Sequence, residues 1–210
     1  MAQWLMPLFP LNVVLFPQMD LPLHIFEERY KQMIKECMEV RQEFGVILVQ
    51  ESSVGSVGCA AAIMRVVKRY DDGRMDIITR GTRRFEIVML DREMPYLRGE
   101  PQFFDDEPST APQDHSMRMK AIQLFSELEE LLGLEQSPSG GDKPELGHPQ
   151  LSFQLMSRLP GDLEFKQSLL QFRSENERLA RVILFLDILK AQLRRTIKAR
   201  ATASGNGKGR

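Results

Sequence analysis

Few residues in this chain have the type and spacing that catalysis requires. The sequence holds three histidines, at positions 24, 115 and 148. His115 and His148 lie in polar segments, and His24 stands between two apolar residues, where packing or helix capping explains it better than proton transfer does. No histidine is therefore predicted to serve as a general acid or base.

The acidic pairs and one serine–lysine pair also fit structural roles. Residues 27–28 lie on a predicted helix surface and residues 71–72 in a predicted turn, so neither pair presents two carboxylates to one substrate. Ser116 and Lys120 are four residues apart on a predicted helix and could meet. A solvated pair is the more common outcome on such a surface, and no nucleophile is predicted here.

The sequence also lacks the motifs that bind nucleotides or metals. A P-loop needs G-x-x-x-x-G-K-[ST], whereas the only Gly-Lys step, Gly207–Lys208, is followed by glycine near the chain end. The patterns S-x-x-K, G-x-S-x-G, H-E-x-x-H and C-x-x-C do not occur. We therefore predict no catalytic residue, no cofactor and no metal ligand, and the chain is not predicted to be an enzyme.

The composition is that of an ordinary globular chain, with 210 residues and a formal net charge of −1. This charge balance counts against the phosphate attraction on which most nucleic-acid-binding proteins depend. No apolar run reaches the roughly 18 residues that span a membrane, and the apolar start lacks the basic region of an export signal. Cys37 and Cys59 are too few for a disulfide scaffold and are expected as buried, reduced thiols. A cytoplasmic protein without a membrane partner is predicted.

The elements that would position any binding residues begin with strands and one early helix. Prolines divide the apolar start into two expected edge strands, Pro7–Leu11 and Val13–Phe16. Apolar residues at helical spacing follow from Phe26 to Met38, and strand-like runs then extend from Phe44 to Phe104 around a turn at residues 71–73. We predict an antiparallel, barrel-like β subdomain with an inserted helix, over residues 1–108.

Helical periods dominate the second half. They predict an α-helical subdomain over residues 115–200, interrupted by a flexible Gly/Pro/Ser-rich loop at 133–149. The longest helix is expected to start at a capping box formed by Ser174 and Glu177 and to reach residue 200. Residues 201–210 are predicted to be a disordered tail. The fold class is therefore α+β.

Several segments, in order, resemble the amino-terminal domain family of Lon protease. They are PLFPLNVVLFPQMDLPLHIFEERYKQMI, GCAAAIMRV, DGRMDIITRGTRRFEIV, YLRGEPQFF and FKQSLLQFRSENERLARVILFL. The resemblance covers about residues 5 to 195. It implies a PUA-like antiparallel β pseudo-barrel followed by an α-helical bundle that ends in a long helix. In full-length Lon this domain helps to recognise protein substrates, and an AAA+ motor and a Ser/Lys protease domain follow it. Neither module occurs in these 210 residues, so a stand-alone, non-catalytic protein is expected.

The leading hypothesis is a module that binds unfolded or exposed apolar protein segments, as an adaptor or chaperone-like factor that works alone or with a separate protease. Its physical basis is the proline-broken apolar start with methionines nearby, which could leave an adaptable groove between the two subdomains instead of forming core. The candidate peptide contacts are Phe9, Leu11, Phe16, Met19, Leu21, His24, Met75 and Phe103.

Two alternatives remain open. PUA-like folds of other families bind RNA, and the basic residues that could form such a patch are Lys68, Arg69, Arg80, Arg83 and Arg84. The net charge makes nucleic acid the weaker hypothesis. An unrecognised hydrolase is weaker still, because no nucleophile and base converge in the sequence.

Overall fold

A computed structural model describes residues 4–50, 53–108, 114–134 and 144–205. These residues form six strands and five helices. In chain order the elements are β1 Met6–Leu11, β2 Asp20–Ile25, α1 Glu28–Val40, β3 Phe44–Gln50, β4 Ser53–Arg69, β5 Met75–Asp91, β6 Leu97–Phe104, α2 His115–Leu132, α3 Leu151–Arg158, α4 Leu163–Gln171 and α5 Glu175–Gly205. The predicted α+β class, with an early inserted helix and a long last helix, is confirmed.

The chain divides into two compact units that do not simply follow one another in sequence. The first unit combines Met1–Glu107 with Leu159–Arg173, and the second combines Pro108–Arg158 with Ser174–Arg210. Helix α4 therefore belongs to the β-rich unit, although the helical pattern had placed it with the other helices. One bond that holds it there is donated by the Gln167 side-chain amide to the Val57 carbonyl, at 2.8 Å.

The six strands of the first unit form one sheet in the order β2-β5-β4-β3-β1-β6. An additional pairing of β5 with β6 closes five of these strands into a ring, and β2 is attached outside it through β5. Strand β5 can serve both neighbours because it is 17 residues long: its first part, Met75–Arg80, pairs with β2, and its last part, Arg84–Asp91, pairs with β6.

The pairing of β1 departs from the sequence-based expectation. β1 runs parallel to β3, so the sheet is mixed instead of wholly antiparallel. The chain can make this parallel connection because β2 and α1 lie between the two strands and provide the necessary crossover length. β1 is also not an edge strand throughout, since Met6–Leu8 pairs with β6 on the other side. Residues 13–16, predicted as a second strand, do not form one.

One core cluster of the first unit includes the buried face of α1, and another consists of strand residues alone. The buried stripe of α1 consists of Tyr30, Met33, Ile34 and Cys37, which follows the helical spacing seen in the sequence. The predicted hairpin turn is confirmed as well: Gly73 has a φ of +82° and its amide donates to the Tyr70 carbonyl at 3.0 Å.

The second unit contains α2, α3 and α5. The predicted capping bond of the last helix is present, since the Glu177 amide donates to the Ser174 hydroxyl at 3.4 Å. α5 continues to Gly205, so residues 201–205 are helical where a disordered tail was expected. The remainder of that tail, 206–210, and most of the predicted flexible loop, 135–143, lie outside the described residues. Among the helices that the structure describes, none has the length and apolar character needed to cross a membrane.

Candidate functional site

A concave pocket of about 500 Å³ opens on the surface of the first unit. Its walls come from the end of β1, the end of β2 and the segment that leads into α1. The lining residues are Phe9, Pro10, Leu11, Asn12, Leu23, His24, Ile25, Phe26, Glu27, Arg29, Tyr30 and Val49.

The pocket lies where two strands lack a neighbour on one side. The pairing of β1 with β6 ends at Leu8. In the described part of the chain, Phe9–Leu11 therefore has β3 as its single partner. β2 likewise pairs with β5 alone within those residues. Side chains at such strand ends are not covered by a further strand, and this is why Phe9–Asn12 and Leu23–Ile25 can line an open cavity.

The floor of the pocket is apolar and well packed. The Phe9 and Tyr30 rings lie 4.2 Å apart between centroids, and the Phe44 ring lies 6.1 Å from that of Phe9. Ile25 is buried beside them. Burial raises the pKa of the Tyr30 hydroxyl, which keeps this group neutral. The rings of Phe9 and Tyr30, which both line the pocket, can therefore contact an apolar side chain.

One side of the rim carries an exposed aromatic residue on a fixed support. Phe26 is 59% exposed, and its ring stacks at 5.9 Å on the imidazole of His24. His24 Nδ1 lies 2.6 Å from Asp76 Oδ1, and the Tyr70 hydroxyl donates to Asp76 Oδ2 at 2.8 Å. The bonds from His24 and Tyr70 hold the pKa of Asp76 below its usual value, so the carboxylate stays charged and orients both rings.

The lining of the pocket also includes a balanced ion pair. Arg29 Nη2 lies 2.7 Å from Glu27 Oε2, and the guanidinium lies over the Tyr30 ring at 4.6 Å from its centroid. The pair contributes little net charge to the rim. The arrangement suits the burial of an apolar group rather than the recognition of an ion. Among the described residues, no group of histidine, cysteine and acidic side chains could hold a metal ion.

The structure brings three of the eight candidate contacts together in this pocket: Phe9, Leu11 and His24. Met19 and Leu21 are partly buried against the adjoining core. The other three lie in the interior or elsewhere: Phe16 is 1% exposed, Met75 is 6% exposed, and Phe103 packs edge-on against Phe85. Phe16 and Met75 do not line the pocket, whereas Phe9 does although it is as buried as Met75.

Sequence reasoning did not include Phe26, which lines the pocket, among the candidate contacts. Its position four residues before Tyr30 assigned it to the buried stripe of α1, but the helix begins only at Glu28. Phe26 therefore lies in the short connection after β2, where neither the strand period nor the helix period determines the direction of the side chain. The change from the strand period to the helix period at Phe26 was the signal in the sequence that could have identified it as exposed.

Three of the five residues of the predicted basic patch are buried or paired with acidic side chains. Arg84 is buried, and Arg80 and Arg83 form ion pairs with acidic side chains, Arg80 with Asp20 at 2.6 Å and Arg83 with Asp105 at 3.3 Å. This geometry offers fewer free cations for phosphate contacts than the sequence pattern had indicated.

Comparisons with known proteins agree on one family. The sequence model for the ATP-dependent protease La (LON) substrate-binding domain matches residues 5–187. The Lon protease of Paraburkholderia phytofirmans is 24% identical over 184 residues, which cover 82% of this chain and 22% of that protein. The Lon protease of Parabacteroides distasonis is 32% identical over 109 residues, covering 48% of this chain and 13% of that protein. The chain thus spans less than a quarter of the length of these curated relatives.

Two solved structures share the fold. A Lon N-terminal domain protein from Xanthomonas campestris aligns with a TM-score of 0.65 and 26% identity, covering 86% of this chain and 98% of that one. The N-terminal domain of the Mycobacterium avium complex Lon protease aligns with a TM-score of 0.61 over 88% of this chain and 98% of that one. At 15% identity the second comparison supports the fold alone.

Proposed function

The chain belongs to the Lon substrate-binding domain family, and from this premise we propose that it recognises other polypeptides by holding their exposed apolar segments in the pocket between β1, β2 and α1. The proposed role is that of an adaptor or chaperone-like factor. It acts by equilibrium binding and carries out no bond cleavage of its own.

The observation that carries this proposal is the exposed Phe26 at the rim of an apolar pocket. A cavity of about 500 Å³ has room for one or two large side chains and falls within the roughly 300–1,000 Å³ range of ligand pockets. A phenylalanine side chain that moves from water into a contact gains about 1.5–3 kcal/mol when fully buried. Phe26 is therefore the strongest candidate for a residue on which affinity depends.

The two thiols support a cytoplasmic location. Both cysteines are free and buried. Burial raises the pKa of Cys37 to about 11 and that of Cys59 to about 12, so both remain protonated and unreactive at neutral pH. The protein therefore does not require an oxidising compartment for its cysteines.

Replacing Phe26 by alanine is expected to weaken the binding of an unfolded protein about 10-fold to 30-fold, because aromatic anchors of interfaces contribute about 1.5–2 kcal/mol. The measurement is fluorescence anisotropy with labelled, reduced and carboxymethylated lactalbumin, which stays unfolded in buffer. The change should leave the melting temperature almost unaltered, since Phe26 is mostly exposed.

Trp4→Ala provides the matched control. Trp4 is also an exposed aromatic residue of the first unit, at 51%, but it precedes β1 and so lies at the opposite end of that strand from the pocket. Its removal is expected to leave the affinity within about 2-fold of the unchanged protein. Equal losses in the two variants would indicate nonspecific adhesion to exposed aromatic surface and would contradict the proposed site.

A further inference from the structure

Strand β2 has an open edge in the described sheet. The ring strands β1, β3 and β6 each pair with two neighbours over part of their length, whereas β2 pairs only with the first part of β5. An edge of this kind presents unpaired backbone N–H and C=O groups, which another chain can use for pairing. β2 is six residues long and its register with β5 is continuous from Asp20 to Ile25, so the edge is regular along its whole length.

The outer part of β4 is another open stretch among the described residues, but it is poorly suited to pairing. Beyond Ala61, β4 no longer pairs with β3, and its register with β5 shifts twice, between Ile63 and Arg65 and between Val66 and Lys68. Bulges, charged side chains and prolines are among the features by which natural edges avoid pairing. β2 contains Asp20 and Pro22, but its register with β5 has no shift, so it remains the more regular template.

The side chains of β2 alternate in a way that leads into the pocket. Leu21 and Leu23 are half-buried and Ile25 is fully buried, whereas the residues between them are exposed. Leu23 and Ile25 also line the pocket. An added strand would continue the same alternation, with its inward side chains about 4.5–5.5 Å from their neighbours on β2. One of those side chains would then stand at the mouth of the pocket.

Pro22 indicates which backbone groups face outward. A proline within an edge strand turns its nitrogen to the open side, because it cannot donate to the neighbouring strand. Backbone groups of successive residues point to alternate sides of a strand, so those of Asp20 and His24 point to the same side as those of Pro22. The open edge therefore offers carbonyl groups from all three residues, and N–H groups from Asp20 and His24.

We propose that the bound polypeptide adds to the sheet as an extra strand along the open edge of β2, with an apolar side chain in the pocket beside it. This inference rests on the proposed function and specifies the ligand: an extended segment with apolar residues at alternate positions. Main-chain hydrogen bonds supply affinity that is independent of sequence, and the pocket selects one side chain.

The test uses a labelled peptide of about eight residues, a typical strand length, in which phenylalanine and valine alternate with threonine and lysine. Versions of it carry one backbone N-methyl group each, so that every side chain is kept while one N–H is removed. A methyl group on a residue whose backbone N–H points towards β2 is expected to weaken binding about 10-fold, because it removes a hydrogen bond and inserts bulk between the two strands. Methyl groups on the intervening residues should change affinity by less than about 2-fold, giving a period of two.

The outcomes separate this inference from the proposed function. If the peptide binds, depends on Phe26 and tolerates every N-methyl group, the pocket binds polypeptides but strand addition is wrong. The same conclusion follows if carboxymethylated lactalbumin binds and the alternating peptide does not. If neither probe binds, the proposed function fails together with the inference.

Discussion

Replacement of Arg84 by alanine is expected to lower the free energy of unfolding of the first unit by about 3 kcal/mol. The reason is that removing a buried arginine leaves the carboxylate and the carbonyl groups that it bonds without their donor. Arg84 is 2% exposed. Its Nη1 donates to the carbonyls of Leu170 and Phe172 at 3.0 and 2.6 Å, and its Nη2 lies 2.5 Å from Asp106 Oδ1. The guanidinium thus connects β5 to the end of α4 and to the segment after β6.

The loss should be visible in two measurements. Urea unfolding followed by circular dichroism gives the change in stability, and hydrogen exchange should show faster exchange of the α4 amides. Arg83→Ala is the control, because Arg83 is the preceding residue, is largely exposed and forms a surface ion pair with Asp105 that is worth about 0–1 kcal/mol. If the two variants lost equal stability, Arg84 would not hold α4 as described.

Replacement of Arg178 by alanine is expected to cost the second unit about 4 kcal/mol. Arg178 is fully buried on α5, where its Nη2 lies 2.8 Å from Glu175 Oε2 and its Nε donates to the Ser152 hydroxyl at 3.1 Å. The guanidinium also lies over the Phe153 ring at 4.4 Å. Burial raises the pKa of Glu175, against the opposing effect of its bonds to Ser152 and Arg178, so this carboxylate depends on its donors.

Arg181→Ala is the matched control on the same helix. Arg181 is one turn further along α5 and pairs with Glu177 at 3.2 Å on the exposed face, an arrangement worth about 0.3–0.5 kcal/mol. Urea unfolding of both variants gives the comparison. A loss for Arg178→Ala as small as that for Arg181→Ala would mean that the buried cluster does not stabilise the second unit.

The local elements of the fold could be predicted because short-range spacing determines them. The stripe of α1, the turn at Gly73 and the capping bond from Glu177 to Ser174 all depend on residues within a few positions of one another. Sequence pattern carried no information about the parallel pairing of β1 with β3, or about α4 joining the β-rich unit. Both depend on contacts between residues that are far apart in the chain, such as Gln167 with Val57.

The candidate site was predictable only in part for the same reason. The proline-broken start of the chain pointed to an apolar surface, and Phe9, Leu11 and His24 do line the pocket. Pattern alone could not separate Phe9 and Leu11, which line the pocket, from Phe16, which does not, because all three are apolar residues of the same segment. Exposure depends on where neighbouring strands end, and that is a property of the assembled sheet.

The most direct test of the central claim is a nuclear magnetic resonance titration of the isotopically labelled chain with the alternating peptide. The largest amide shift changes are expected in Phe9–Asn12 and Leu23–Tyr30, the segments that line the pocket, with small changes around Trp4 and in the exposed face of α5. Saturable shifts confined to other parts of the chain, or no shifts at millimolar peptide, would contradict the assignment of this pocket as the site of polypeptide recognition.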